Sequence, residues 1–179
     1  MNYVELIEPI VALARQAGDA ILEVYASDFD VQSKDDESPL TQADLASHRR
    51  IVSGLAALTP DLPVISEESG LPAFGDRSTW PTYWLIDPLD GTREFVNRNG
   101  EFTVNIALIA GGRPVFGVVH VPVPGKTYVG CEGHGAELRV DGEQPTPIRV
   151  AQNSAQPVRR LRMRRGRIVI ETIVVGDEK

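Results

Sequence analysis

A change in hydrophobic period limits what this chain can fold into. Near the start, Val4, Ile7, Val11, Ala14, Ala17 and Ile21 recur at three- and four-residue steps, the spacing of one helix face. Asn2 stands where an N-cap would, and Pro9 falls early in the segment. A second helix is expected from about Leu40 to Leu58, with Leu45, Ile51, Val52 and Leu55 as its buried stripe. Two short apolar runs follow, Pro63-Val64-Ile65 and Tyr83 to Ile86, each with acidic residues just beyond it, and a helical turn is expected after Gly91. From Phe102 the pattern turns to hairpins. Phe102 to Ile109 and Val115 to Val121 flank the turn Ala110-Gly111-Gly112-Arg113. Lys126 to Cys131 and Ala136 to Val140 continue a meander as far as Asp141-Gly142, a strong turn signal. Two long helices with a largely antiparallel sheet predict an α+β layered domain.

Composition narrows the function classes. The chain has 179 residues, 42% hydrophobic and 24% charged, enough to bury a core without metal or disulfide staples. Net charge is −7, which argues against a general nucleic-acid or anionic-membrane surface. The charge is unevenly spread: residues 1–150 carry a net −11 and residues 151–179 a net +4. Cys131 is the single cysteine, so no intrachain disulfide is available. No apolar run approaches the roughly 20 residues of a membrane span. The first ten residues hold Glu5 and Glu8 and no basic residue, unlike a secretory signal. A soluble, cytoplasmic protein without membrane insertion is the expectation.

The chemistry centres on Asp87-Pro88-Leu89-Asp90-Gly91-Thr92. The strand Tyr83 to Ile86 delivers Asp87 to its carboxyl end, where ligand sites commonly lie. Pro88 is expected to turn the chain and bring Asp90 back beside Asp87. Two carboxylates at close range repel, and a divalent cation between them relieves that repulsion. All-oxygen ligands suit Mg²⁺. Gly91 permits close backbone approach, and Thr92 adds a hydroxyl that can orient water. Taken alone, the hexapeptide also fits a turn in which both aspartates cap backbone groups.

Two further acidic elements support it. Ser66-Glu67-Glu68-Ser69 follows the strand before Asp87, so Glu67 could share the same sheet edge; adjacent carboxylates alone are more often a solvated pair. Thr41-Gln42-Ala43-Asp44 opens the second helix and reads as a capping box, Thr41 capping and Asp44 reaching back. A catalytic role for Asp44 would be additional to that reading. His48, His120 and His134 lack metal-ligand spacing and read as structural or exposed. Asp28 to Pro39 reads as a strand-to-loop segment containing Val31, its acidic residues Asp35-Asp36-Glu37 either solvated or bordering the active site.

Together these motifs resemble the inositol monophosphatase superfamily of Mg²⁺-dependent, lithium-sensitive phosphatases. The stretch from Asp87 through Asn105-Ile106-Ala107-Leu108, with Ser38-Pro39-Leu40-Thr41 and Ser66-Glu67-Glu68, is similar to the 3'(2'),5'-bisphosphate nucleotidase branch. The likeness runs from about residue 3 to about residue 157. It implies the layered helix/sheet sandwich of the sugar-phosphatase type. It implies that Glu67, Asp87 and the Leu89 carbonyl hold a first Mg²⁺, and that Asp87 bridges to a second ion shared with Asp90. Gly91 and Thr92 would contact the substrate phosphate. Thr92, linked to Asp44, would orient the attacking water, and Glu67 would help place a third, weaker ion. The implied substrate is a small phosphorylated nucleotide, adenosine 3',5'-bisphosphate, a by-product of sulfate assimilation that would be recycled by cleavage to AMP and phosphate. The alternatives are a relative acting on inositol phosphate or fructose bisphosphate, and a catalytically weak or inactive metal- and phosphate-binding fragment.

The departures from the pattern matter equally. Family members continue into a second lobe whose Trp-Asp motif completes the second metal site. Here Trp80 and Trp84 lie upstream, and after residue 150 the acidic residues are Glu171, Asp177 and Glu178. The second ion is therefore expected to lack a ligand, and apolar surface is expected to stay open to dimerisation or aggregation. Residues 158–179 form a divergent tail with an arginine run from Arg159 to Arg167 and an apolar, strand-like run from Ile168 to Val175. Clustered arginine attracts phosphate, but no aromatic residues interleave it, so nucleic-acid binding is not expected.

Overall fold

The computed structural model describes residues 1–27 and 38–149, together with the backbone of 158–164 and 167–173. The expectations for 28–37, including Val31 and Asp35-Asp36-Glu37, lie outside the described residues. Two compact units are present, Met1–Ile148 and Arg149–Lys179.

In the first unit a short 3₁₀ turn, Tyr3–Leu6, is capped by Asn2, whose side chain accepts from the Val4 N–H. It leads into α1, Ile7–Tyr25. Helix α2 spans Pro39–Leu58 and packs along α1. Ser38 is its N-cap, accepting from the Thr41 N–H at 3.3 Å, with Pro39 at the first helical position. That corrects the capping box expected at Thr41. The helix begins one turn earlier because proline, with φ preset and no N–H to lose, suits the first position, so Asp44 lies beyond the capping positions. The buried stripe of α2 is Ala43, Ser47, Ile51 and Leu55; Leu45 is only half-buried.

Seven strands form one sheet in sequence order: β1 Val64–Ser66, β2 Thr82–Asp90, β3 Thr103–Ala110, β4 Arg113–Val121, β5 Lys126–Cys131, β6 Gly135–Val140 and β7 Thr146–Ile148. β1 runs parallel to β2 and every other pairing is antiparallel. Short helices α3, Phe74–Arg77, and α4, Thr92–Val96, flank β2 in sequence. α1 covers β3, β4 and β5, and α2 covers β1 and β2. Trp84, Ile86, Val104, Ile106, Leu108, Phe116, Val118 and Val129 are buried in the core with the apolar faces of both helices. The Trp84 indole N–H donates to Thr59 Oγ1 at 2.9 Å, so the largest core side chain has its one donor satisfied. Intervening strand residues remain open and apolar: Leu85 is 44% exposed, Val119 41% and Tyr128 39%.

In the second unit, β8 Val158–Arg164 and β9 Arg167–Ile173 form an antiparallel hairpin. Its first strand carries most of the arginine run, and its second contains the start of the apolar run. Among the described residues no helix is long and apolar enough to cross a membrane.

Candidate active site

Parallel pairing of β1 with β2 sets Ser66 beside Ile86. The next residues, Glu67 and Asp87, therefore leave neighbouring strands at the same sheet edge. β2 does not turn at Pro88 as expected. It continues to Asp90, which pairs with Thr103, while Asp87 pairs with Asn105. Three steps on β2 thus face two on β3, a bulge that holds Pro88 and Leu89. Such an insertion re-aims side chains without ending the strand, and Pro88 is tolerated there because an unpaired bulge position needs no ladder N–H. Leu89 is buried, whereas Asp90 is exposed.

Neighbouring side chains orient the two loops. The Ser47 hydroxyl of α2 donates to the Pro88 carbonyl at 2.7 Å. His48 Nδ1 and Ser66 Oγ share a hydrogen bond of 2.8 Å. Asn105 Nδ2 donates to Asp90 Oδ2 at 3.2 Å, and Thr103 Oγ1 donates to Asn105 Oδ1 at 3.1 Å. Ser47, His48, Asn105 and Thr103 were not among the candidates from sequence. Their signal is tertiary; only the position of Ser47 and His48 three and four residues after Asp44 hinted that they share a helix face.

Beyond the bulge the chain needs glycine. Gly91 has φ +97°, and a Cβ there would lie 3.1 Å from Phe102 Cα and 3.2 Å from the Glu101 carbonyl oxygen. Helix α4 starts at Thr92 and is anchored by buried Phe95, which packs against Tyr25 and Phe102 at centroid distances of 5.2 and 5.4 Å. After α4, Arg98 donates to the carbonyls of Tyr25 and Ser27 at 2.9 and 2.6 Å, tying this segment to the end of α1.

The electrostatics are those of crowded like charges. Burial, then the neighbouring Glu68, push the Asp44 carboxyl up to about 7, and Asp87 and Glu67 add to the shift. Burial, then Glu67 and Asp90, push Asp87 up to about 6. Asp44, Glu67, Glu68, Asp87 and Asp90 therefore form one interacting set. Glu68, rather than Glu67, is the carboxylate that raises Asp44 most after burial. Thr92 is exposed, and among the described residues no hydrogen bond joins it to Asp44. An open groove of about 490 Å³, lined by Ile65, Leu71, Leu85 and Ile86, has Glu67 and Asp87 in its wall.

These residues fit a hard divalent cation. Asp44 Oδ1 and Asp87 Oδ1 are both buried with no hydrogen-bond partner. A buried carboxylate oxygen without a donor is costly, and an oxygen-only set satisfied by a small dication removes the cost. Among the described residues, no three His, Cys, Asp or Glu side chains stand close enough to hold a metal ion between them; the carboxylates interact through Asp44 and Asp87.

Comparison with known proteins agrees with this fold. The inositol monophosphatase family profile matches residues 2–172, passing beyond residue 157, where the likeness was expected to stop. The 3'(2'),5'-bisphosphate nucleotidase CysQ of Escherichia coli O157:H7 is 55% identical over 130 residues, covering 72% of this chain and 52% of that protein. Its counterpart in Aggregatibacter actinomycetemcomitans is 41% identical over 138 residues, covering 77% and 51%. The chain thus spans about half the length of these curated relatives. Among solved structures, CysQ from Bacteroides thetaiotaomicron superposes with TM-score 0.68 at 37% identity, covering 83% of this chain and 60% of that one. An inositol monophosphatase from Zymomonas mobilis gives TM-score 0.70 at 26% identity, covering 88% and 58%. Its layered α+β architecture, its acidic sheet edge and the family match over most of its length lead to one conclusion: the chain belongs to the inositol monophosphatase family.

Proposed function

We propose that residues 1–157 are the catalytic lobe of a Mg²⁺-dependent phosphomonoesterase that removes the 3'-phosphate of adenosine 3',5'-bisphosphate, yielding AMP and phosphate. The observation that carries this reading is the pair of buried, unpartnered carboxylate oxygens on Asp44 and Asp87, set among Glu67, Glu68 and Asp90. The nucleotide substrate follows from the CysQ relatives. Glu67, Asp87, the Leu89 carbonyl and Asp90 would hold two ions, with Glu67 contributing to a third. Bound Mg²⁺ would supply Lewis acidity, lowering the pKa of water and stabilising charge on phosphate oxygens.

The chain's own residues perform the remaining tasks. Gly91 and Thr92 would contact the phosphate, and the Thr92 hydroxyl, exposed at the start of α4, would orient water. Asn105 keeps Asp90 aimed by donating to one carboxylate oxygen. Asp44, with its carboxyl raised to about 7, can carry a proton near neutrality. In the net reaction water adds to phosphorus, the bond to the 3'-oxygen breaks, and that oxygen leaves as a hydroxyl. Most of the barrier lowering in such transfers comes from positioning and charge stabilisation.

The test is phosphate release from adenosine 3',5'-bisphosphate with Mg²⁺, with and without Li⁺. Li⁺-sensitive release that is lost in Asp90→Asn supports the assignment; release that survives Asp90→Asn removes the metal role given to Asp90. A competing reading is a cation- and phosphate-binding lobe without turnover. Calorimetric Mg²⁺ binding without phosphate release would select it.

A further inference from the structure

Helix α2 touches both acidic strand ends with consecutive side chains. Ser47 is fully buried and reaches across 41 residues of sequence to the Pro88 carbonyl, inside the bulge between Asp87 and Asp90. His48 reaches across 18 residues to Ser66, the last residue of β1 and the one before Glu67. Ser66 is itself buried, at 1% exposure, and its hydroxyl also accepts from the Glu68 N–H at 3.3 Å. The β1–β2 ladder holds the two strands in register only as far as Ser66 and Ile86. Beyond that pair, backbone pairing between the two strands no longer controls how far Glu67 lies from Asp87. Ser47 and His48 each tie one departing strand to a common support, helix α2.

We propose that Ser47 and His48 are positioning residues that together set the separation of the Glu67 and Asp87 carboxylates, so that α2 gauges the mouth of the cation site. Each acts through another group, Ser47 through the Pro88 carbonyl and His48 through the Ser66 hydroxyl. An outer partner that orients a ligand in this way commonly changes metal affinity when removed. The consequence for cation binding rests on the phosphatase reading above; the positioning itself does not.

Two measurements on the full chain test this. In the first, Mn²⁺ affinity is measured by calorimetry. His48→Ala is expected to weaken binding by about 10- to 100-fold. His48→Asn, which can return a hydrogen-bonding atom near the former Nδ1, is expected to restore most of it. His48→Ala and Ser66→Ala are expected to be non-additive in the double variant, because they share one hydrogen bond. The second measurement needs no cation. Amide exchange at Glu68 and across residues 89–91 is expected to accelerate in His48→Ala and Ser47→Ala, respectively, while exchange at Ile51 and Leu55 in the same helix stays unchanged. Unchanged exchange at both strand ends overturns the proposal. Mn²⁺ affinity equal in His48→Ala and the parent chain also overturns it. If the parent chain binds no Mn²⁺ but the strand-end amides still accelerate, positioning is supported and the cation reading falls.

Discussion

The molecule has two carboxylate-rich regions with opposite electrostatics. At the far side of the sheet, Arg139 on β6 donates to both Glu8 oxygens at 2.8 and 2.9 Å and to Glu137 at 2.7 Å. The guanidinium holds Glu8 below the ordinary carboxylate range. At the β1–β2 edge, burial and neighbouring carboxylates raise Asp44 and Asp87 to about 7 and about 6. Glu137 and Asp87 are both acidic residues on strands of one sheet; what separates them is their neighbours. Carboxylates that stabilise a fold are neutralised within it, whereas a set left facing itself stores repulsion that an external cation can relieve.

The largest way to break this contrast is to remove the centre of the acidic set. Asp87→Asn is expected to weaken Mg²⁺ binding by more than about 100-fold, beyond the usual cost of losing an outer partner, as read by calorimetry. The same variant is expected to melt higher than the parent without Mg²⁺, because a repulsive charge is gone. Breaking the paired region should do the reverse. Arg139→Ala strands the carboxylate of Glu137, whose side chain is 11% exposed, and is expected to cost about 3 kcal/mol in urea unfolding with Mg²⁺ affinity unchanged.

Titration sharpens the contrast. Asp44 and Asp87 bind protons more tightly folded than unfolded, so their contribution to stability is complete below about 4, the ordinary Asp pKa. It is lost as pH rises through about 6 and about 7. Without Mg²⁺ the melting temperature is expected to carry this loss across that window. Mg²⁺ competes with those protons, so its affinity is expected to rise over the same window and level off above about 7. Calorimetry in buffers of different ionisation enthalpy should then show proton release on binding. Buried His120, held below its ordinary 6.5 chiefly by desolvation, pulls stability the other way in acid, so the difference with and without Mg²⁺ isolates the acidic edge. The smallest effect is expected for Glu8→Gln. Glu8 is 78% exposed, and its loss should cost less than about 1 kcal/mol in urea unfolding.

Much of the architecture was legible in short windows. The period of Ile7, Val11, Ala14 and Ile21 marks α1, and the turn around Gly111-Gly112 marks the hairpin of β3 and β4. The acidic candidates Asp44, Glu67, Asp87 and Asp90 could also be named, because Asp87 directly follows an apolar strand segment and Glu67 lies one residue beyond another. The bulge at Pro88 was missed because turn-forming residues signal a bend without specifying whether pairing resumes after it. Glu68 was passed over because adjacent carboxylates look alike until their directions are known. The cap moved from Thr41 to Ser38 because Ser38-Pro39 offered a better local start than the motif considered.

The sequence by itself determined the two long helices, most of the strands and which residue types follow them, since periodicity and turn chemistry act within about one turn or one hairpin. Tertiary structure decided which carboxylates meet each other and which meet Arg139, and that Ser47 and His48 brace both acidic ends. Coulomb energy and hydrogen bonding depend on separations of a few ångströms between residues far apart in sequence. Only the packing of α2 and α1 against the sheet sets those separations.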